Sequence, residues 1–308
     1  MDVLFQTMPF FGLMACGYFA AYIGFFSEDA NAALTKFVFY FALSAMLFRF
    51  ASELDLADMF NPRLGAAYLS SLLCVYLLAA IVARVSGKGL ADIAVESQLA
   101  VIGNNGFLAI PLLLLVLGER AIPPLLFMLS IDLLVFSSII VIAIKAGQEG
   151  RISKDTIGRV LLGVVQNPMI VALVLGLLWA ALKTPMPGPI YEFLTILGAA
   201  ATPCALFAIG ASLAARSAET IFVPLWLSLC KLILLPAAAI FFALAVFDLP
   251  GHLAAVMIAT AAMPTAGNIY IIAKSYGVAS QRASATILIT HIGAVITLTA
   301  ILAEVVTW

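Results

Sequence analysis

Apolar residues in this chain do not alternate with polar ones. They gather into runs separated by short polar links. A membrane-spanning helix needs about 20 apolar residues. Ten runs reach that length, at 7–26, 33–52, 64–85, 95–117, 122–145, 160–182, 190–214, 220–247, 252–275 and 283–306. The links "SEDAN", "DMFNPR", "SGKGLAD", "GERAIPP" and "KTPMPGP" carry charge, Gly or Pro, as turns at a water boundary do. The longest polar link, "KAGQEGRISKDTIGR" at 145–159, lies halfway along and leaves five runs on each side. No stretch remains for a soluble domain, so the expected fold is an all-α membrane protein of ten transmembrane helices.

Composition agrees with lipid as the solvent. Hydrophobic residues make up 64% of the 308-residue chain and charged residues 10%, against about 25% charged in soluble domains. The net charge of −1 comes without any long basic run, which argues against a nucleic-acid partner. Cys16, Cys74, Cys204 and Cys230 each lie in an apolar stretch without CxxC spacing and read as small core residues. No Lys or Arg precedes the first apolar run, so a secretory signal is not expected there. Loop charge sets the expected orientation. With both termini outside, the cytoplasmic links hold Lys36, Arg84, Lys88, Lys145, Arg151, Lys154, Arg159, Arg216, Lys274 and Arg282. The outer links hold only Arg49, Arg63, Arg120 and Lys183, the asymmetry that the positive-inside rule requires.

The two halves resemble each other. A shift of 159 positions lays Pro9 on Pro168, Gly17 on Gly176, Leu47 on Leu206, Phe48 on Phe207 and Leu54 on Leu213, and "LFRFASEL" overlays "LFAIGASL" without a gap. Five helices per half is an odd number, so the second half enters the membrane the other way up. The expectation is one transporter unit over 1–308, with a first five-helix repeat at 1–145 and a second, inverted repeat at 160–308.

One stretch breaks the apolar pattern. "GNNGFLAIP", residues 103–111, puts two Asn, two Gly and a Pro inside the fourth run. Pro111 has no N–H and clashes with the carbonyl of Phe107, and Gly103 and Gly106 loosen the same turn. The helix is expected to unwind near 103–110, which lipid tolerates only where the freed groups line a cavity. An Asn in a membrane helix also serves simply to bond a neighbouring helix, but the cluster favours a binding site. The repeat calls for a second break in the ninth run, and "AMPTAGNIYIIAKSYG" supplies Pro264, Gly267, Asn268 and Tyr270. Paired interruptions in corresponding positions point to a transporter's substrate site. Half-helix N-termini aimed at such a site favour an anion. The candidate substrate-binding residues are therefore Asn104, Asn105, Gly106, Pro111, Pro264, Gly267, Asn268 and Tyr270.

"NNGFLAIPLLLLVLGE" and "AMPTAGNIYIIAKSYGV" resemble the fourth and ninth helices of the auxin efflux carrier family, which includes the plant auxin carriers and bacterial carriers of small carboxylates. "MACGYFAAYIGFFSEDANAALTKFVFYFALSAMLF" resembles the family's opening. "QNPMIVALVLGLLWAAL" and "TPCALFAIGASL" resemble its sixth and seventh helices. The resemblance covers most of the chain. It implies a fold of the type shared by bile acid, arsenite and riboflavin transporters: ten helices in two inverted five-helix repeats with broken, crossing helices 4 and 9. It also implies a scaffold and dimer surface at about 7–52 and 160–214, a mobile transport domain at about 64–145 and 220–306, and elevator-type alternating access. The family's crossover Asn and Pro map to Asn104 and Pro111, and its ninth-helix Pro to Pro264. Ser44 stands where many members have Pro, while the repeat-related Pro203 is kept. A second ninth-helix proline of the plant carriers is replaced near Asn268. These departures bear on the substrate more than on the fold.

Other polar groups sit at membrane depth. Asp132 lies mid-run, where a carboxylate costs a few kcal/mol or more and a functional role is the default. His291 lies in the tenth run and titrates near neutral pH. The pair is a candidate proton relay or coupling-ion site, with hydrogen bonding to a neighbouring helix as the plainer role for each. Lys231, Arg49 and Lys274 are expected to snorkel. Glu96 suits the start of its helix through the dipole. No HExxH, GxSxG or P-loop motif occurs, and no Cys/His spacing suits zinc. The expectation is a secondary transporter of small mono- or dicarboxylates, auxin-like molecules included, in an inner (plasma) membrane. It is expected to be a homodimer, to use no cofactor, and to be coupled to a proton or a sodium ion. Two alternatives stand beside it: a sodium-coupled carrier resembling bile acid symporters, and a membrane receptor that binds without translocating.

Overall fold

The computed structural model describes residues 2–54, 60–150, 158, 162–214 and 221–308. The cytoplasmic charges Arg151, Lys154, Arg159 and Arg216 lie outside the described residues. Among those described, regular structure is helical, apart from one isolated antiparallel bridge between Gly103 and Thr265.

The helices are α1 (Asp2–Tyr22), α2 (Glu28–Ser52), α3 (Pro62–Val85), α4 (Leu90–Val101), α5 (Asn105–Leu117) and α6 (Glu119–Glu149). They continue as α7 (Pro168–Ala181), α8 (Gly188–Ala214), α9 (Phe222–Val246), α10 (Gly251–Ala261), α11 (Asn268–Tyr276) and α12 (Ser280–Val305). Six of them, α2, α3, α6, α8, α9 and α12, are long and apolar enough to cross a membrane. Shorter apolar helices fall in the other stretches. Local chemistry sets several starts. Ser27 accepts a hydrogen bond from Ala30 N–H at 3.2 Å ahead of Glu28 and Asp29, and Asn167 accepts one from Met169 N–H at 3.0 Å with Pro168 next. Five π-helical segments interrupt the helices, at Val38–Ala42, Asn105–Ala109, Asp132–Phe136, Cys230–Leu234 and Phe241–Val246.

The chain divides into two compact units. The first holds residues 1–61, 106–127 and 165–215; the second holds 62–105, 128–164 and 216–308. In the first, α1 packs along the C-terminal half of α8, and α7 packs along the C-terminal half of α2. Both contacts are backbone-close. A Cβ on Gly17 would lie 2.0 Å from the carbonyl oxygen of Phe207, and one on Gly176 would lie 2.7 Å from that of Phe48. Small residues at helix crossings are the lipid-phase substitute for a hydrophobic driving force. The two contacts exchange under the 159-residue shift, because Gly17 corresponds to Gly176 and Phe48 to Phe207.

In the second unit, α4 packs on α3 and on the C-terminal half of α6, while α9 packs on α12 and α3. The interior of this unit includes α10 from Leu253 to Ala261, where Val256, Met257 and Ile258 are buried among Ala254, Ala255, Ala259 and Ala261.

The cysteines depart from the expectation of core positions. Cys16 and Cys74 are exposed, Cys204 is half-buried and only Cys230 is buried, all as free thiols. In a lipid-facing protein the outer surface is as apolar as the interior, so an apolar run does not tell the two apart. Lys231 also departs: it does not snorkel but is 0% exposed.

The helix contact predicts a sharp contrast between two glycines of α1. Gly17→Ala should lower the detergent melting temperature by the few degrees that overpacking of about 1–3 kcal/mol implies. Gly12→Ala, whose added Cβ meets nothing within 4 Å, should leave it in place. Fluorescence-detected gel filtration after heating measures both, and equal melting temperatures would refute the contact.

Candidate functional site

Both predicted breaks are present. The α4 helix ends at Val101, Ile102 turns extended, and α5 resumes at Asn105 in a π-helical turn. The unwound part is shorter than expected, covering 102–104 rather than 103–110. Pro111 lies inside α5, directly after the π-helical turn and at the start of its α-helical part. The partner break runs between Ala261 and Asn268.

The two breaks pair with each other. Asn104 N–H donates to Pro264 O at 2.8 Å, and Ala266 N–H donates to Ile102 O at 3.0 Å. Thr265 Oγ1 donates to Leu99 O at 2.9 Å, and Thr265 N–H donates to Thr290 Oγ1 on α12 at 3.2 Å. Gly103 fits this crossing because a Cβ there would meet Asn105 Oδ1 at 2.9 Å and Met263 Cβ at 3.2 Å. Freed backbone groups are thus satisfied by a two-strand bridge instead of a helix.

The carbonyl ends of the broken helices are occupied by donors of the protein itself. Leu99 O and Ile102 O at the end of α4 accept from Thr265 and Ala266. Ala261 O at the end of α10 accepts from Lys231 Nζ at 2.6 Å. The amide side of the crossing is different. Asn104, 2% exposed, has no hydrogen-bond partner on Nδ2, and Asn268, the first residue of α11, has none on Oδ1. First-turn N–H groups of a helix lack intrahelical partners. The position a Cβ on Gly267 would take is open space. Tyr270 lies one turn further on, with the Lys274 ammonium 5.8 Å from its ring centroid.

Beneath the crossing lies a buried polar cluster. Asn105 Nδ2 donates to Asp132 Oδ2 at 2.6 Å and to Tyr68 OH at 3.2 Å. Tyr68 OH lies 3.1 Å from each oxygen of Asp132 and donates to that carboxylate. Tyr68, Asn105 and Asp132 are 1%, 1% and 4% exposed. Lys231, in a π-helical segment of α9, is within electrostatic reach of Asp132, which opens a π-helical segment of α6. Such segments are frequent at functional sites. His291 Nδ1 lies 2.8 Å from Ile287 O on its own helix, α12.

The sequence-predicted residues thus separate. Asn104, Pro264, Gly267, Asn268 and Tyr270 surround the crossing. Asn105 and Asp132 meet below it. Gly106 and Pro111 belong to the first unit, where a Cβ on Gly106 would meet Met169 Cε at 2.9 Å. Tyr68 was missed, although a buried tyrosine needs a hydroxyl partner. Lys231 was read as snorkelling, although an ionisable group in mid-span carries the same default of function as Asp132. Glu96 is 3.0 Å from Arg282 Nε, in an ion pair joining α4 to α12, and Asp92 bonds the same guanidinium.

A model of the family described as membrane transport protein matches residues 2–302. A Rhizobium meliloti (strain 1021) protein named "Putative malonate transporter" is 31% identical over 309 residues, covering 96% of this chain and 93% of that protein. "Uncharacterized transporter YfdV" of Escherichia coli (strain K12) is 26% identical over 302 residues, covering 95% and 94%. With a lipid-facing surface, two paired helix breaks and a family match along nearly its whole length, the chain is a multi-pass membrane transporter and not an enzyme, and it belongs to the membrane transport protein family of the auxin efflux carriers.

Proposed function

We propose that the protein is a secondary transporter of small organic anions, mono- or dicarboxylates, and that the substrate sits at the crossing of the α4–α5 and α10–α11 breaks. The observation that carries this is the asymmetry of the crossing. Its carbonyl ends are consumed by Thr265, Ala266 and Lys231, whereas Asn104 Nδ2 remains to donate and α11 begins at the same crossing. A site with spare donors and partial positive charge takes a carboxylate. Asn104 donates to the substrate through Nδ2, and Asn268 does so once its side-chain amide turns to bring Nδ2 where the unpartnered acceptor Oδ1 stands. Pro264, Gly267 and Tyr270 shape the site, and Gly106 and Pro111 set the opening of α5. The name of the Rhizobium relative makes malonate the first substrate to try.

Movement is of the elevator type. Residues 7–52 and 160–214 act as scaffold and homodimer surface, and 64–145 and 220–306 act as the transport domain. The separation of 62–105, 128–164 and 216–308 into one compact unit supports this division, while 106–127 groups with the scaffold residues instead. The exchange of the Gly17–Phe207 and Gly176–Phe48 contacts under the 159-residue shift supports two inverted five-helix repeats. Both termini lie outside an inner membrane. Asp132 binds the coupling ion. That ion is a proton rather than sodium, because the α10 carbonyl end that would serve a metal cation already holds an ammonium.

Uptake of radiolabelled malonate and other small carboxylates into proteoliposomes tests the reading. Asn104→Ala and Asn268→Ala should each weaken affinity at least tenfold, the cost of a lost amide–carboxylate bond of about 1.5–3 kcal/mol, with little change in folded yield. Unchanged affinity in both would remove them from the site. Replacing sodium with choline should leave uptake intact, and its loss would favour the sodium-coupled carrier. Protein that binds carboxylates yet never accumulates or exchanges them would be a receptor. For orientation, a cysteine at Gln148→Cys should react with an impermeant maleimide only from the cytoplasm, and one at Met186→Cys only from outside. The reverse pattern would invert the topology.

A further inference from the structure

The adjacent asparagines Asn104 and Asn105 are chemically alike, yet they sit in opposite situations. Asn104 keeps its Nδ2 unpartnered. Asn105 has both amide hydrogens committed, one to Asp132 Oδ2 at 2.6 Å and one to Tyr68 OH at 3.2 Å. Its remaining polar atom, Oδ1, is an acceptor without a partner, directed at Gly103. An acceptor repels a carboxylate. Rotating the amide would turn Oδ1 toward Asp132 and oppose two acceptors, so the orientation follows from the chemistry. Asn105 therefore has nothing to offer an anionic substrate.

We propose that Asn105 and Tyr68 are positioning residues that hold Asp132 as the site of the coupling proton, and that Asn105 links this site to the crossing through its own backbone. The proposal rests on the transporter reading above and extends it to the coupling step. The Tyr68 hydroxyl has a single hydrogen. Given to Asp132, it leaves the phenolic oxygen free to accept from Asn105. The closed three-residue ring presents two donors to an ionised carboxylate in a buried place, an arrangement whose worth depends on full satisfaction.

When a hydronium ion gives a proton to one carboxylate oxygen, its O–H bond breaks and leaves water, a carboxyl O–H bond forms, and that oxygen turns from acceptor to donor. A proton on Oδ2 meets Asn105 Nδ2, which has no lone pair to offer and must release, whereas Tyr68 OH, 3.1 Å from both oxygens, keeps its bond to Oδ1. Asn105 N–H donates to Gly103 O at 2.8 Å, and its neighbour Asn104 donates to Pro264 O. Release is thus felt directly at the pairing of the two breaks. The groups that bear on Asp132 are Tyr68 on α3, Lys231 on α9, which donates to Ala261 O, and the non-titrating Asn105. On α12, His291 Nδ1 lies 2.8 Å from Ile287 O.

Two measurements on the purified full-length protein test this, with wild type compared to Asn104→Ala, Asn105→Ala, Tyr68→Phe and Asp132→Asn. Infrared difference spectra across pH need no substrate. A titrating buried carboxyl band should appear in wild type and vanish in Asp132→Asn. Its midpoint should move by about one pH unit or more in Asn105→Ala and Tyr68→Phe and stay in Asn104→Ala. The second measurement uses malonate as probe in proteoliposomes. Asn105→Ala and Tyr68→Phe should keep malonate affinity within about twofold, while pH-gradient-driven accumulation is lost and its pH profile flattens; Asn104→Ala should lose affinity about tenfold. A midpoint unmoved by Asn105→Ala and Tyr68→Phe overturns the proposal, as does an Asn105→Ala affinity loss matching that of Asn104→Ala. Tyr68→Phe preserves the ring's packing, so it decides the matter if Asn105→Ala fails to fold. If wild type takes up no malonate, the substrate reading fails at that probe, and the infrared result alone decides the coupling site.

Discussion

In lipid a backbone amide or carbonyl without a partner costs several kcal/mol, and this constraint governs the molecule. It explains why the described chain is helical nearly throughout and why its two interruptions occur together. Each break exposes groups that the other satisfies, through Asn104 with Pro264 and Ala266 with Ile102. Neither break is stable alone. A substitution that stiffened one into continuous helix would strip the other of its partners. The pairing also leaves Asn104 Nδ2 without an acceptor, and that donor is the basis for the proposed anion site.

The same constraint assigns work to the buried charges. A lysine at membrane depth would normally face water, but Lys231 is consumed by the carbonyl end of α10. It neutralises the negative pole of that half-helix and faces Asp132 across the cluster. Removing either partner leaves a lone buried charge, which is far more costly than the pair. In the proposed mechanism substrate recognition and coupling are therefore adjacent, with Asn104 on one side of a peptide bond and Asn105 on the other.

Much of this was legible in the sequence because lipid makes the signals coarse. Apolar runs of spanning length marked the helical segments, and Gly, Pro and Asn inside two of them marked the breaks. What remained hidden depended on which side of a helix a residue occupies. Cys16 and Cys74 lie on the exposed face of runs as apolar as the one that buries Cys230, because lipid and core demand the same composition. Hydropathy could not separate Asn104 from Asn105 either, since one residue of helix rotation decides whether an amide meets the crossing or Asp132. Tyr68 and Lys231 carried a readable signal, as polar groups in mid-span, but their partners lie on other helices and only the fold brings them together. The extent of unwinding was overestimated because a π-helical turn lets α5 restart before Pro111.

The central claim is that the crossing holds an anion on its amide side. The most direct measurement is anomalous diffraction from crystals grown with bromomalonate. The account predicts a bromine peak beside Asn104 and the first turn of α11. A peak placed away from the crossing, or a metal cation coordinated by the carbonyl end of α10 in place of Lys231, would contradict it.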